Sequence, residues 1–308
     1  MVTPAMIREL REISGAGMTD CKRALEETNG DLKEAVAYLR EKGLAAAAKK
    51  AGRIAAEGLV ALKVSGDDAF IVEVNCETDF AAKADNFKSF VADVVDQIEG
   101  SKANDMDAFM AEPWGKGEYD SVADALKGKI ATIGENLNIR RFERIKKQKP
   151  GVISSYVHGG GAAGVLLEIH TDSADPKVAE MGNNLCMQIV AMAPRFLNVS
   201  EVDQDYLESE RKILLAQAQN ENPDKPEQVI EKMVEGRINK QLKEICLVEQ
   251  AYVKDGSMSV KAYVESVSKE VGAPITLVKF VAYEKGEGIE KKEDNFAEEV
   301  AKAAGGGN

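Results

Sequence analysis

The chain has 308 residues, more than one ordinary hydrophobic core occupies, so two or more domains are expected. Its 44% hydrophobic and 30% charged residues fit a soluble globular protein, and the formal net charge of -12 argues against a nonspecific grip on nucleic acid phosphates. No apolar run reaches about 18 residues and no charged-then-apolar leader opens the chain, which excludes a membrane span and a signal peptide and leads us to expect a cytoplasmic protein.

The first 55 residues carry ten Lys/Arg against eight Asp/Glu, a local balance of +2 that leaves -14 on the rest. Pro4 opens a helix through about Ile13, the loop SGAGM breaks it, a second helix runs from near Thr19 to Thr28, and NGD starts a third. Asp31 with Glu34 three positions on is a capping pair for that third helix. A three-helix unit of this size is common as a docking module, and Met18, on a Gly-rich loop, is its candidate contact. The alanine-rich LAAAAKKAGRIAAEG, breakable at Gly52 and Gly58, reads as a helical linker.

The segment IVEVNCETDF, Ile71 to Phe80, reads as a buried strand that ends in turn-forming residues. Phe80 then stands outside both the strand pattern and the helical pattern of Phe87, Phe90, Val91, Val94, Val95 and Ile98. Such an aromatic is either tucked into the core or kept for a partner. An internal repeat bears on the choice. At an offset of 93, Gly58 meets Gly151, Ala69 meets Ala162, Thr78-Asp79 meets Thr171-Asp172, and Phe80 meets Ser173. At an offset of 138, Gly134 meets Gly272 and Phe142 meets Phe280. Each copy reads strand, turn, strand, turn, helix, further helix, final strand, which predicts an α+β architecture with small antiparallel sheets covered by helices. If the turn exists without the aromatic in the second copy, folding does not demand Phe80, and a contact role is expected for it.

The offsets 93 and 138 differ by 45, which places an insertion near residues 200–245 of the second copy. Its sequence predicts an antiparallel helical hairpin about NENPDKP, with Tyr206, Leu207, Ile213 and Leu214 facing Val229, Ile230, Met233 and Leu242. From Gly286 onward the sequence predicts a short tail helix that frays into glycines.

HGGGAAG, from His158 to Gly164, satisfies GxGxxG, but a strand follows it instead of a helix, so it is a hairpin turn and not a dinucleotide fingerprint. No GxxxxGK occurs, and two histidines in unrelated contexts assemble no catalytic set. The four cysteines, Cys21, Cys76, Cys186 and Cys246, lie far apart without CxxC spacing and read as reduced and structural, so no metal or other cofactor is expected. The basic run RRFERIKKQK reads as an edge strand with solubilising charge rather than as a nucleic acid contact.

Over essentially its whole length the chain resembles the elongation factor Ts family. The resemblance rests on IRELREISGAGMTDCKRALEETNGDLKEAVAYLR, KKAGRIAAEGLV, EVNCETDFAAK, IGENLNIRR, EKMVEGR and GEGIEKKEDNFAEEV, in that order. It implies an N-terminal module (1–55) similar to ubiquitin-associated domains and a core of two related subdomains, 56–145 and 146–200 with 246–285. It also implies an inserted hairpin or coiled coil at 201–245 and a C-terminal module at 286–308. It implies a guanine nucleotide exchange factor without covalent chemistry, whose partner is elongation factor Tu, GDP-bound and nucleotide-free, with no direct nucleic acid or membrane partner. Thr78, Asp79, Phe80 and Ala81 are similar to the element that enters the partner's G domain and dislodges Mg2+. Arg11, Met18, Thr19 and Lys22 are similar to positions that grip the same domain, and His158 to one that touches another domain of the partner. Methionine or valine is common in the family where this chain has Thr19. The hairpin's polar outer face permits dimerisation, contact with the partner or contact with another protein. The alternative from a different class is a noncatalytic adaptor that uses the helical module to bind another protein.

Overall fold

The computed structural model describes residues 2–117 and 119–290. The chain opens with three helices: α1 (Pro4–Ser14), α2 (Met18–Glu27) and α3 (Leu32–Lys50). Thr3 caps α1 ahead of Pro4, and Gly15 closes it with φ 66, a left-handed conformation that suits glycine. Asp31 caps α3 by accepting the Glu34 amide at 2.8 Å. Leu10, Cys21, Ala24, Leu25 and Ala35 form the core of this bundle. The alanine-rich stretch is helical only in part. Its first part, 44–50, is the end of α3; the chain then leaves the helix and enters a strand at Glu57. Within α3, Gly43 lies so close to Ala131 that a Cβ there would meet the alanine methyl at 2.9 Å.

The first sheet follows, with β1 (Glu57–Ser65), β2 (Asp68–Cys76) and β3 (Leu137–Lys146) in the order β1-β2-β3. Between β2 and β3 lie α4 (Asp79–Lys83), α5 (Asp85–Gly100), α6 (Met106–Ala111) and α7 (Val122–Ile133). The second sheet contains β4 (Gly151–His158), β5 (Ala163–His170) and the later β8 (Thr276–Glu284), antiparallel in the order β4-β5-β8. Its helices are α8 (Pro176–Met192), the pair α9 (Gln204–Glu221) and α10 (Glu227–Ile245), and α11 (Val260–Val271), with a small ribbon of β6 (Ala251–Tyr252) and β7 (Asp255–Ser259) before α11. The chain is thus mixed helix and sheet, as the periodicities imply. HGGGAAG is a hairpin connection: His158 pairs with Ala163, and Gly159, Gly160 and Gly161 all take positive φ.

By contact pattern the chain divides into two units, one of Met1–Leu59, Glu73–Arg141 and Lys285–Asn308, the other of Val60–Val72 and Phe142–Glu284. In the second unit, Val165, Leu167 and Ile169 of β5 pack against Met181, Leu185 and Ile189 of α8 and Val264 of α11.

The structure corrects the repeat. Gly58 approaches the Val74 carbonyl so closely that a Cβ would lie 2.2 Å from it, and Gly151 approaches the Ile169 carbonyl with a corresponding 1.9 Å. Val74 is therefore the counterpart of Ile169, and Cys76 of Thr171, because the turn after His158 is longer than that after Ser65. The buried faces of α5 and α8 match Phe87 with Val178, Phe90 with Met181, Val94 with Leu185 and Ile98 with Ile189. From Cys76 to Phe87 is 11 positions and from Thr171 to Val178 is 7, so the first half carries 4 extra residues between strand and helix. That extra length accommodates α4, a helix of five residues with no counterpart in the second half. Thr171-Asp172-Ser173 is thus not the same turn without its aromatic; the second half lacks the element altogether.

The later match holds without correction. Ser121 caps α7 and Gly134 closes it, as Ser259 and Gly272 do for α11. From Ile98 to Val122 is 24 positions and from Ile189 to Val260 is 71, an insertion of 47 residues rather than 45. Its two helices meet through buried Ala218, Ile230, Val234 and Ile238, flanked by Leu207, Leu214, Leu215, Met233 and Leu242. Ile213 and Val229, expected in that seam, are exposed instead. Each precedes a seam residue, Leu214 or Ile230, by one position, and a step of about 100° around the helix turns it toward water.

All four cysteines are free and buried. Of the stretch read as a tail helix, residues 286–290 form a turn and its exit rather than helix, and the remainder lies outside the described residues.

Candidate functional site

Strand β2 delivers the chain to Glu77 and Thr78, where a capped turn begins. The Thr78 hydroxyl accepts the Ala81 amide at 3.2 Å and so starts α4. Ala81 and Ala82 are buried and anchor the helix from below, while Phe80 is 82% exposed. Asp79 forms an ion pair with Lys83 at 2.6 Å, one helical turn on, and the Lys83 hydrogen bond lowers the Asp79 pKa from the ordinary carboxylate value. The element is a short, capped platform with a phenylalanine on its outer face. Exposing a side chain of this size forgoes roughly 1.5–3 kcal/mol of burial.

The platform is held from the side by the loop after α7. Glu135 accepts the Glu77 amide at 3.1 Å and the Thr78 amide at 3.0 Å on one oxygen, and the Thr78 hydroxyl at 2.6 Å on the other. Reciprocally, the Glu77 carboxylate accepts the Asn136 amide at 2.6 Å, and the Asn136 side chain donates to the Arg53 carbonyl at 2.7 Å. Sequence reasoning read Glu77 only as one of the residues that end the strand and assigned no role to Glu135 or Asn136. The available signal was a Glu-Asn pair placed directly after a helix-closing glycine and before a strand.

A second buried cluster lies on the same strand. Glu73 is fully buried and accepts from Asn75, Arg140, Arg141 and the Gly286 amide, the last at 2.7 Å. Burial pushes its pKa up, yet the hydrogen bonds from Asn75, Gly286, Arg140 and Arg141 outweigh burial and hold it below the ordinary value. Arg140 also donates to the Glu287 carbonyl and Arg141 to the Glu287 carboxylate, and Lys285 pairs with Glu57. These two arginines are therefore structural partners of a buried carboxylate, not solubilising charge.

The other sequence-selected residues fall into two places. Arg11 lies in the last turn of α1, and Met18, Thr19 and Lys22 lie on the first turns of α2, all exposed; Met18 and Lys22 are one turn apart, and Lys22 is 3.7 Å from Glu26. These and the α4 platform belong to the first unit. His158 belongs to the second, at the exposed end of β4, where its Nδ1 is 3.2 Å from the Tyr156 hydroxyl. Among the described residues no group of three or more His, Cys, Asp or Glu side chains could hold a metal ion, and no helix is long and apolar enough to cross a membrane.

A family model described as Elongation factor TS matches residues 77–287. The chain is 52% identical over 308 residues to an elongation factor Ts of Clostridium perfringens (strain SM101 / Type A), covering 99% of this chain and 100% of the relative. It is 50% identical over 304 residues to that of Clostridium tetani (strain Massachusetts / E88), covering 98% and 99%. It is 47% identical over 303 residues to that of Clostridioides difficile (strain 630), covering 98% and 98%. Fold and comparisons together define an elongation factor of protein biosynthesis. The chain belongs to the elongation factor Ts family.

Proposed function

We propose that this chain is the guanine nucleotide exchange factor of elongation factor Tu, binding its GDP-bound form and releasing the nucleotide without covalent chemistry. In this reading the α4 platform enters the partner's G domain. Phe80 acts as a wedge, with Thr78, Asp79 and Ala81 forming its base, and the movement dislodges the partner's Mg2+. Losing that ion leaves the phosphates without their main counter-charge, so a small displacement weakens GDP disproportionately. The observation that carries the reading is the 82% exposure of Phe80 on a turn held by the hydrogen-bonded, half-buried Thr78 and by buried Ala81 and Ala82.

Magnitudes require more than the wedge. A nanomolar nucleotide is held by about 12 kcal/mol, whereas burying one phenylalanine supplies roughly 1.5–3 kcal/mol. A wide interface must hold the distorted partner. We assign it to Arg11, Met18, Thr19 and Lys22 on the ubiquitin-associated-like module (1–55), to His158 on the second core subdomain (146–200 and 246–285), and to the C-terminal module (286–308). Linkage then makes nucleotide and factor expel each other reciprocally. The cytoplasm is the site of action.

The test is GDP release from elongation factor Tu in the presence of wild type and Phe80→Ala. Wild type should accelerate release and the variant should not. No acceleration by wild type would leave the adaptor reading in place, and full activity of the variant would remove the wedge.

A further inference from the structure

Phe80 has no packing of its own to fix its direction, since 82% of it faces water. Its aim is set by the backbone of α4, a helix of five residues with few internal hydrogen bonds to define it. What defines the start of α4 is Thr78, and what holds Thr78 is Glu135. The carboxylate takes both the Thr78 amide and its hydroxyl, leaving the hydroxyl oxygen free to accept the Ala81 amide. A line of hydrogen bonds thus runs from Glu135 through the Thr78 hydroxyl to the first turn of α4 and ends one residue from Phe80.

The two halves of the molecule supply a control. At the offset of 138 that matches α7 with α11, Glu135 corresponds to Ala273 and Asn136 to Pro274. In that half no helix intervenes between β5 and α8. The clamp is present where the platform is present and absent where it is absent. The closing of α7 by a left-handed glycine is common to both halves, so Glu135 is not needed to build that corner.

We propose that Glu135 is a positioning residue for nucleotide exchange: it sets the angle at which α4 presents Phe80 to the partner's G domain. The proposal rests on the exchange reading above. Glu135 touches neither nucleotide nor partner in this scheme. Its removal should therefore slow the exchange step in the bound complex while leaving association, carried by the rest of the interface, nearly intact. Misaiming a reacting group by a fraction of its size is costly, and a loss of roughly tenfold or more in the maximal rate is expected.

The experiment is GDP release from elongation factor Tu as a function of factor concentration, for wild type, Glu135→Ala, Glu135→Asp, Glu135→Gln, Phe80→Ala and Phe80→Ala/Glu135→Ala. Both Glu135→Ala and Glu135→Asp should lower the maximal rate by about tenfold with less than about threefold change in the half-saturating concentration. Asp keeps the charge and the fold but withdraws the carboxylate by one methylene, so it reads out the geometry even where Ala disturbs folding. Gln should stay within about threefold of wild type, because its amide oxygen still accepts the two amides and its amide nitrogen donates to Thr78. The double variant should equal Phe80→Ala alone, since Glu135 acts through Phe80. Wild-type maximal rates for Glu135→Asp, a change confined to half-saturation, or multiplicative losses in the double variant each overturn the proposal. If Phe80→Ala is itself fully active, the wedge reading fails first and takes the proposal with it; an inactive Phe80→Ala beside an active Glu135→Asp sinks Glu135 alone.

Discussion

The Nε of Arg141 lies 2.6 Å from a carboxylate oxygen of Glu73, a residue with no exposed surface. Arg140 shares the same carboxylate, and the Gly286 amide completes its coordination. Replacing Glu73 by Gln would leave two guanidinium groups beside a neutral amide. The cost should be about 2–4 kcal/mol, toward the lower side of a fully buried pair because both arginines retain some contact with water. The carboxylate is favoured in the folded chain, with its pKa below the ordinary 4.5. Its contribution is therefore complete above that value and fades as pH falls through the lower folded value. Urea midpoints of wild type and Glu73→Gln should differ at neutral pH and converge in acid; a gap that widens in acid would contradict the assignment.

Phe80→Ser should leave stability within about 0.5 kcal/mol of wild type, since an exposed side chain contributes little to the core. The same protein should fail to accelerate GDP release. Thermal melting and nucleotide release, measured on one preparation, check both halves. A melting loss of several degrees would return the residue to a structural role.

Removal of residues 79–82 imitates the shorter strand-to-helix connection of the second half. The shortened chain should still melt in one cooperative transition, at some cost from losing the buried Ala81 and Ala82. Exchange activity should vanish with the platform. Loss of the cooperative transition would show that α4 is part of the core rather than an addition to it.

Val234→Ala in the hairpin seam removes two buried methyl groups from a contact between only two helices. About 1–2 kcal/mol should be lost locally. Hydrogen exchange is the measurement: amides of α9 and α10 should exchange faster, with those of β4 and β5 unchanged. Uniform acceleration across the chain would mean that the hairpin unfolds only with the body.

Most helices were legible because their caps and periods agree: Thr3-Pro4, Asp31, Ser121 and Ser259 each start a helix where the residue type suggests. The repeat was legible at its glycines, for the reason the structure makes plain at Gly58 and Gly151: any side chain there would collide with a carbonyl across the sheet. Its register was not. A constant offset matched Thr-Asp with Thr-Asp by identity, whereas two compensating length changes, a longer hairpin turn and a missing α4, lie between the matched glycines and the matched helices. Exposure of Phe80 was inferred from that faulty alignment and holds for another reason, the extra element. The Glu135 clamp was out of reach because it joins positions 57 residues apart through backbone amides, which leave no mark on composition or period. The Glu73 cluster was hidden similarly, since its arginines look like ordinary surface charge on an edge strand.

The Gly286 bond has a consequence for the order in which the protein is made. Glu73 and its arginines leave the ribosome early, but their last ligand comes 213 residues after Glu73, once the whole of Phe142–Glu284 has been synthesised. The unit that begins first is therefore completed last. Until then two arginines and a buried carboxylate wait for the strand end that seals them, so translation itself sets when the chain reaches its final stability.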